Sequence, residues 1–206
     1  MLLLAIDVVS LSDLLKSEYS IEEIKSLLYS FECKSLSTGS SDVEYFLHEK
    51  AISFEQVDLS RTYLVLSYFQ KKTYLAGYFS ISNKPLVIPK STFSRLTNSL
   101  QKKLVGMGNR TDMKNYECKG YLLGQLGKNY SKLSLSANQV TGNDLLSLSY
   151  LKIKEAHEIV GGRVLHLECE DHPKIKKFYE DNGFRIIEDF VSPNGLRVFV
   201  KMINKL

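Results

Sequence analysis

Asp171-His172-Pro173-Lys174-Ile175-Lys176-Lys177-Phe178-Tyr179-Glu180-Asp181-Asn182-Gly183-Phe184 reads as a short helix with both of its ends marked. Proline belongs in a first helical turn, where its missing N–H is no loss, and glycine past the last turn takes the left-handed conformation that stops a helix. The spacing predicts a helix from Pro173 to Asn182, with Ile175, Phe178 and Tyr179 on one face at i, i+3, i+4. Apolar runs on either side read as strands, Val164 to Cys169 before it and Phe184 to Val191 after it. The turn Ser192-Pro193-Asn194-Gly195 then returns the chain through a last strand, Leu196 to Ile203.

Upstream, Leu145 to Val160 is an amphipathic helix stopped by Gly161-Gly162. Its expected inner line is Leu146, Ser149, Ile153, Ala156 and Val160, widened by Leu145, Leu148 and Ile159. Gln139-Val140-Thr141-Gly142-Asn143-Asp144 stands just before it. Small residues in such a turn let backbone N–H groups converge, and the helix dipole adds positive charge, so an anion can be held there without side-chain cations. The same letters, Thr141 with Asp144, also make a plain capping box.

The rest of the chain supplies helices and antiparallel strands. Helices are expected at Ser12 to Ser17, at Ser20 to Phe31 (a Ser20/Glu23 capping box with Ile21, Ile24, Leu27, Leu28 and Phe31 on one face), and from Asp42 into Phe54. Thr62 to Phe69 and Tyr74 to Ser82, parted by Gln70-Lys71-Lys72-Thr73, read as a β-hairpin. After a Pro-bounded stretch, Pro85 to Pro89, come a helix from Ser91 to Leu104, a loop from Gly106 to Asn115 and a strand from Lys119 to Gly127. Met1 to Ile6 reads as a buried strand interrupted at Asp7. The order is that of an α/β (α+β) chain with a mixed, mostly antiparallel sheet flanked by helices.

The 206 residues, 44% hydrophobic and 24% charged, fit one domain, residues 1–206. No stretch is long enough to span a bilayer, and the apolar Met1 to Ile6 carries no basic n-region of the kind a secretory signal has. Three widely spaced cysteines without a CxxC pair argue against a disulfide framework and for a reducing cytoplasm. The net charge of +4 is spread over scattered lysine pairs, which suits solvated faces as well as attraction of a polyanion.

Phe178-Tyr179-Glu180 followed by Gly183-Phe184, after a strand and a Pro-bearing first turn, resembles motif B of the GNAT N-acetyltransferase superfamily. Leu123-Gly124-Gln125-Leu126-Gly127-Lys128 resembles that family's fourth strand, and Gln139 with Gly142 and Asp144 resembles its pyrophosphate loop. The resemblance covers Tyr121 to about Ile187 by motif and the N-terminal half by order of elements. It implies acetyl-CoA as cosubstrate, no metal, and a sheet splayed at its centre near Leu126-Gly127-Lys128 and Glu168-Cys169-Glu170. On this reading the backbone of Leu126, Gly127 and Lys128 holds the pantetheine arm. Gln139, Val140, Thr141, Gly142, Asn143, Asp144 and Leu145 meet the pyrophosphate, His172 stands where many relatives place an Asn, and Phe178 and Tyr179 close over the thiol. Tyr179 is the implied proton donor to the departing thiolate, and Glu168 or Glu170 is a candidate base for the amine proton. Two departures from the pattern are Asp144, a carboxylate where phosphates would sit unless it turns back to cap the helix, and an over-long spacing from Lys128 to Gln139.

His166-x-x-Cys169-x-x-His172 is a weak metal pattern, because residues 166 and 169 of a strand face opposite ways. A Cys169–His172 nucleophilic pair lacks an evident orienting acid, and the hairpin aromatics suit packing better than RNA stacking. The leading expectation is acetyl transfer to a primary amine. Two others stand beside it: a toxin that acetylates aminoacyl-tRNA and is neutralised by an antitoxin, and a GNAT-fold module that binds acyl-CoA or a partner without catalysis. A homodimer is compatible with all three, and no membrane partner is expected.

Overall fold

The computed structural model describes residues 6–34, 40–105 and 114–206, arranged as two compact units. The first comprises Met1–Ser82 and Gly124–Ser149, the second Asn83–Leu123 and Tyr150–Leu206. No helix among the described residues is long and apolar enough to cross a membrane.

In the first unit, β1 (Ile6–Ser10) pairs antiparallel with β2 (Arg61–Phe69), which forms a hairpin with β3 (Lys72–Ser82). Of the strand expected at Met1 to Ile6, Ile6 is in β1 and Met1 to Ala5 fall outside the described residues; Asp7 does not interrupt the strand but lies within it on the exposed side. The hairpin is tighter than its four polar letters suggest. Gln70 and Lys71 both adopt left-handed backbone, φ +49° and +63°, so a two-residue turn lets Lys72 and Thr73 join the ladder.

Helices α1 (Leu11–Leu15), α2 (Ile21–Tyr29), α3 (Ser40–Tyr45) and α4 (Ala51–Gln56) belong to this unit, with a wider π turn over Phe46–Lys50 joining the last two. The Ser20/Glu23 capping box forms as read: the Ser20 N–H donates to Glu23 Oε2 at 2.8 Å, and the Glu23 N–H to Ser20 Oγ at 3.3 Å. Ile24 and Leu28 are buried, whereas Ile21, expected inward, is exposed at 38% because the first turn projects beyond the apolar stripe. Leu11, Leu28, Phe31, Leu47, Leu64, Leu75 and Tyr78 form the core, with Phe31 edge-on to Tyr78 at 5.1 Å.

Strand β6 (Gly120–Lys128) begins in the second unit and ends in the first, where it lies beside β3. A Cβ at Gly77 of β3 would come within 2.7 Å of the Gly127 carbonyl, and one at Gly127 within 2.8 Å of Phe31 and Val43, so neither position has room for a side chain. Buried Asn129 follows. Its amide donates to the carbonyls of Leu75 at 2.6 Å and Ser30 at 3.2 Å, and its oxygen accepts from the N–H groups of Glu32 at 3.0 Å and Ser131 at 2.8 Å. The over-long stretch after Lys128 is a helix that the sequence reading missed, α7 (Lys132–Ala137), closed by Asn138 at φ +44°.

In the second unit the strand order is β6, β7 (Val164–Cys169), β9 (Arg197–Met202), β8 (Arg185–Val191). The β6–β7 pairing is parallel, Gly120–Leu122 against Val164–His166; β7–β9 and β8–β9 are antiparallel. A small sheet, β4 (Leu86–Pro89) with β5 (Asn115–Cys118), replaces the expected Pro-bounded stretch and part of the expected loop. Prolines at 85 and 89 hide a four-residue strand whose last residue needs no N–H. The single expected helix at Ser91 to Leu104 is broken into α5 (Lys90–Phe93) and α6 (Asn98–Val105), since Thr97 accepts from the Leu100 N–H at 3.3 Å and starts the second afresh. Leu86, Ile88, Phe93, Leu104, Cys118, Val164, Ile187, Val198 and Val200 make this unit's core.

Helix α8 (Gly142–Val160) starts three residues earlier than expected. Leu145, Leu146, Ser149 and Ile153 are buried, but Ile159 and Val160, expected inward, are 83% and 66% exposed, because the last turn overruns the surface it packs on. Helix α9 (Pro173–Asp181) lies where the opening motif puts it.

Candidate active site

The loop before α8, in the first unit, is a closed capping box. The Thr141 N–H and hydroxyl both donate to Asp144 Oδ2, at 2.7 and 2.6 Å, and the Asp144 N–H returns to Thr141 Oγ1 at 3.3 Å. The Leu145 N–H is bonded to the Thr141 carbonyl at 3.2 Å, and the Leu145 side chain is fully buried. Three of the N–H groups that the sequence reading offered to a pyrophosphate therefore already have acceptors. Gln139 is tied down as well: its Oε1 accepts from the hydroxyls of Ser67 at 2.8 Å and Tyr74 at 3.3 Å. Val140 is buried, while Thr141 and Asn143 are exposed. Lys128 stands 5.8 Å from the Tyr130 ring centroid, a cation–π distance, and Leu126 is half-buried.

In the second unit, Tyr179 sits in an aromatic cluster with ring centroids 5.1 Å from Phe178, 5.6 Å from Phe184 and 6.0 Å from Phe199. The side chain is half-buried, and packing around the ring desolvates the phenol. That desolvation, reinforced by Cys169 and Tyr150, pushes the phenol well above its ordinary range and holds it neutral at physiological pH. None of the described residues hydrogen-bonds this hydroxyl. Tyr150, on α8, is raised by burial too, and Lys201 donates to its oxygen at 3.3 Å from a position 4.4 Å from its ring centroid. Burial, with Lys154 second, lowers the Lys201 ammonium.

Strand β7 presents its residues alternately to two faces. Cys169, the neighbour whose charge would oppose a Tyr179 phenolate, has its thiol pushed up to about 11 by burial first and Asp171 second. A thiol so raised is neutral, which removes the nucleophile from a Cys169–His172 pair. Glu168 and His166 share the other face, and Glu168 favours the charged form of His166 without overcoming its desolvation. His172 begins α9 without capping it by its side chain, and its Nδ1 is buried with no partner. No group of His, Cys, Asp or Glu among the described residues is arranged to hold a metal ion.

His166 is 2% exposed, and its Nε2–H donates to the Lys84 carbonyl at 2.9 Å. Desolvation depresses its pKa in the folded state. The unfolded chain therefore binds the proton more readily, and stability is fully present above about pH 6.5, the free-imidazole value, and is lost as pH falls below it. The melting temperature should decline from pH 7 to pH 5, and His166→Asn should flatten that decline; a slope unchanged in the variant would assign it elsewhere.

No family model and no curated relative matches this chain. Solved structures do. A tyrosine-to-phenylalanine mutant of KacT matches with a TM-score of 0.62 and 18% identity over 97% of this chain and 95% of its own. AtaT complexed with acetyl-methionyl-tRNAfMet gives 0.62 and 19% over 97% and 96%. A mutant AtaT toxin bound to the C-terminus of the antitoxin AtaR and acetyl-CoA gives 0.59 and 16% over 98% and 94%. Among these neighbours, AtaT is a toxin seen with an antitoxin and acetyl-CoA and with an acetylated aminoacyl-tRNA.

The chain has the GNAT fold. The three GNAT-like motifs of the sequence lie on β6, on the loop before α8, and on α9. The parallel β6–β7 ladder ends at Leu122 and His166, so Leu126 to Lys128 and Glu168 to Cys169, where the GNAT resemblance expects a splay, come after its last pair. Sequence reasoning missed Asn129, Tyr150 and Lys201. Only Asn129 carried a signal, a lone polar residue directly after a strand.

Proposed function

We propose that this protein is an acetyl-CoA-dependent N-acetyltransferase acting on the α-amino group of an aminoacyl-tRNA, a toxin restrained by an antitoxin, with residues 1–206 working as one GNAT-like domain. The observation that carries the proposal is the likeness to AtaT complexed with acetyl-methionyl-tRNAfMet over 97% of this chain. That match includes the N-terminal helices, the region where GNAT enzymes select their acceptors. It favours this acceptor over an unspecified primary amine.

In the proposed chemistry the neutral amine nitrogen attacks the thioester carbonyl carbon, and the carbonyl oxygen takes up negative charge that a backbone N–H can stabilise. The C–S bond then breaks, the thiolate takes the proton of Tyr179, and the amine proton leaves to Glu168 or water. The unpartnered hydroxyl of Tyr179 and the unpartnered Nδ1 of His172 support such a site, because both are polar atoms that a bound molecule would satisfy. We assign the backbone of Leu126, Gly127 and Lys128 to the pantetheine arm, Gln139 to Leu145 to the pyrophosphate, and Phe178 to packing beside the thiol.

The closed Thr141–Asp144 box fits an anion poorly as it stands, and it favours a second reading, a GNAT-fold module without catalysis. Asp144→Asn separates the two. Removing one unit of like charge from about 4 Å in a water-like medium contributes on the order of 1 kcal/mol. Coenzyme A should therefore bind about fivefold more tightly to the variant by calorimetry, since 1.4 kcal/mol is tenfold. Weaker binding would remove this loop as the pyrophosphate site.

The acceptor is tested with labelled acetyl-CoA on aminoacyl-tRNA, uncharged tRNA and free amines. Label on the aminoacyl-tRNA alone, declining steeply with salt as phosphate contacts dictate, is the expected result. Label on free amines alone would replace the acceptor. No transfer, together with no coenzyme A binding, would leave the non-catalytic module.

A further inference from the structure

In the second unit a cavity of about 230 Å³ opens at the C-terminal end of α8. It is lined by Lys103 of α6, His157 of α8, Gly162 and Arg163 of the following turn, and Lys205 with its neighbours after β9. The space is ample for an oxyanion with hydrating water, since one water occupies about 30 Å³ of liquid. No carboxylate side chain lines it. Elsewhere on this unit some cations are matched, Lys152 by Glu155, Lys176 by Asp171 and Lys177 by Asp181, and others such as Lys154 and Lys174 stand apart on the surface. Lys103, Arg163 and Lys205 form no ion pair among the described residues.

Cations at a helix C-terminus also serve the helix dipole, and that role alone would account for a lysine or an arginine here. Two of the carbonyls nearby already have side-chain donors, however. The Gly161 carbonyl accepts from the Tyr121 hydroxyl at 2.6 Å, and the Lys103 carbonyl accepts from Arg163 Nε at 3.3 Å and Nη2 at 3.1 Å. These two bonds fix the guanidinium and leave its Nη1 to serve another acceptor. His157 contributes its ring to the cavity wall, with Nδ1 shut off from solvent and without a partner. A braced guanidinium and two ammonium groups thus surround one cavity with no carboxylate side chain beside them.

We propose that this cavity binds a phosphate-class oxyanion through Arg163, Lys103 and Lys205, with the His157 ring in its wall as a reporter. The anion is either a free phosphate group or a backbone phosphate of RNA. The proposal is independent of acetyl transfer, because none of these residues belongs to the motifs assigned to acetyl-CoA.

The test follows the His157 side-chain nitrogen resonances of the full chain while inorganic phosphate replaces chloride at constant ionic strength. Nδ1 should shift saturably, and the apparent affinity should fall about tenfold in Arg163→Gln, the loss of a charge-assisted bond. Arg163→Gln also removes the brace to Lys103, so Lys205→Gln, an exposed residue, carries the test if that variant unfolds. In a second arm, uncharged tRNA is titrated across a range of salt. A slope of log affinity against log salt shallower by about one unit in Lys205→Gln names RNA as the source of the phosphate. An unchanged slope beside a phosphate-dependent His157 shift names a free anion. No His157 shift with phosphate and no change of slope overturn the site, and coenzyme A binding measured in the same variants shows whether acetyl-CoA recognition stands regardless.

Discussion

Tyr179→Phe is expected to lower turnover by about 10²-fold, the contribution of one positioned general acid, while leaving coenzyme A affinity and melting temperature nearly unchanged. The ring is held by Phe178, Phe184 and Phe199, and phenylalanine keeps all three contacts. The hydroxyl serves no described hydrogen bond, so its removal should shift stability by no more than about 0.5 kcal/mol. Desolvation keeps the phenol protonated across the physiological range, as a group that donates to a departing thiolate must be. A loss confined to the turnover number, with the binding constant unmoved, is the signature of an interaction made in the transition state. Equal turnover in the variant and the parent, measured on aminoacyl-tRNA, would return Tyr179 to the core and leave the thiolate to water.

Asn129→Ala should be the most damaging truncation of a polar side chain in the first unit, costing about 3 kcal/mol or more, since each buried polar group left without a partner costs about 1–3 kcal/mol. Its amide joins the carbonyls at the end of α2 and in β3 to two N–H groups, and alanine abandons all four. For a chain of this size the loss corresponds to a fall in melting temperature on the order of 10 °C. Asn129→Asp keeps the acceptor for Glu32 and Ser131 but gives up both donors, so it should fall between. A melting temperature within a degree or two of the parent in Asn129→Ala would mean that water takes over these groups at little cost.

Where the sequence carried periodicity together with an end signal, the fold was readable. Pro173 and Gly183 bound α9, Ser20 and Glu23 cap α2, and β7 runs between the residues expected of it. Elements below five residues were not readable: β4 and β5 are four-residue strands whose pairing depends on partners about thirty residues apart, which local pattern does not encode. Helix α7 was hidden for a different reason, because Ser131-Lys132-Leu133-Ser134-Leu135-Ser136 alternates as a strand would. Of the candidate site, the identities were legible and the arrangement was not. Thr141 and Asp144 were read both as an anion loop and as a capping box, and the structure realises the box. Tyr150 and Lys201, set at the rim of the Tyr179 cluster, follow no local motif and became visible only when α8, α9 and β9 were brought together.

On the proposed reading, a pyrophosphate entering this loop competes with the Asp144 carboxylate for the Thr141 N–H and hydroxyl, and binds the molecules in which the box has opened. Measured affinity is then the intrinsic affinity scaled down by the open fraction, and anything that raises the fraction strengthens binding without adding a contact. The rate of cofactor uptake would level off at high concentration, at the frequency with which the loop breathes, rather than rise in proportion. A partner that held Thr141 away from Asp144 could therefore switch the cofactor on from outside, by altering how often the gate stands open.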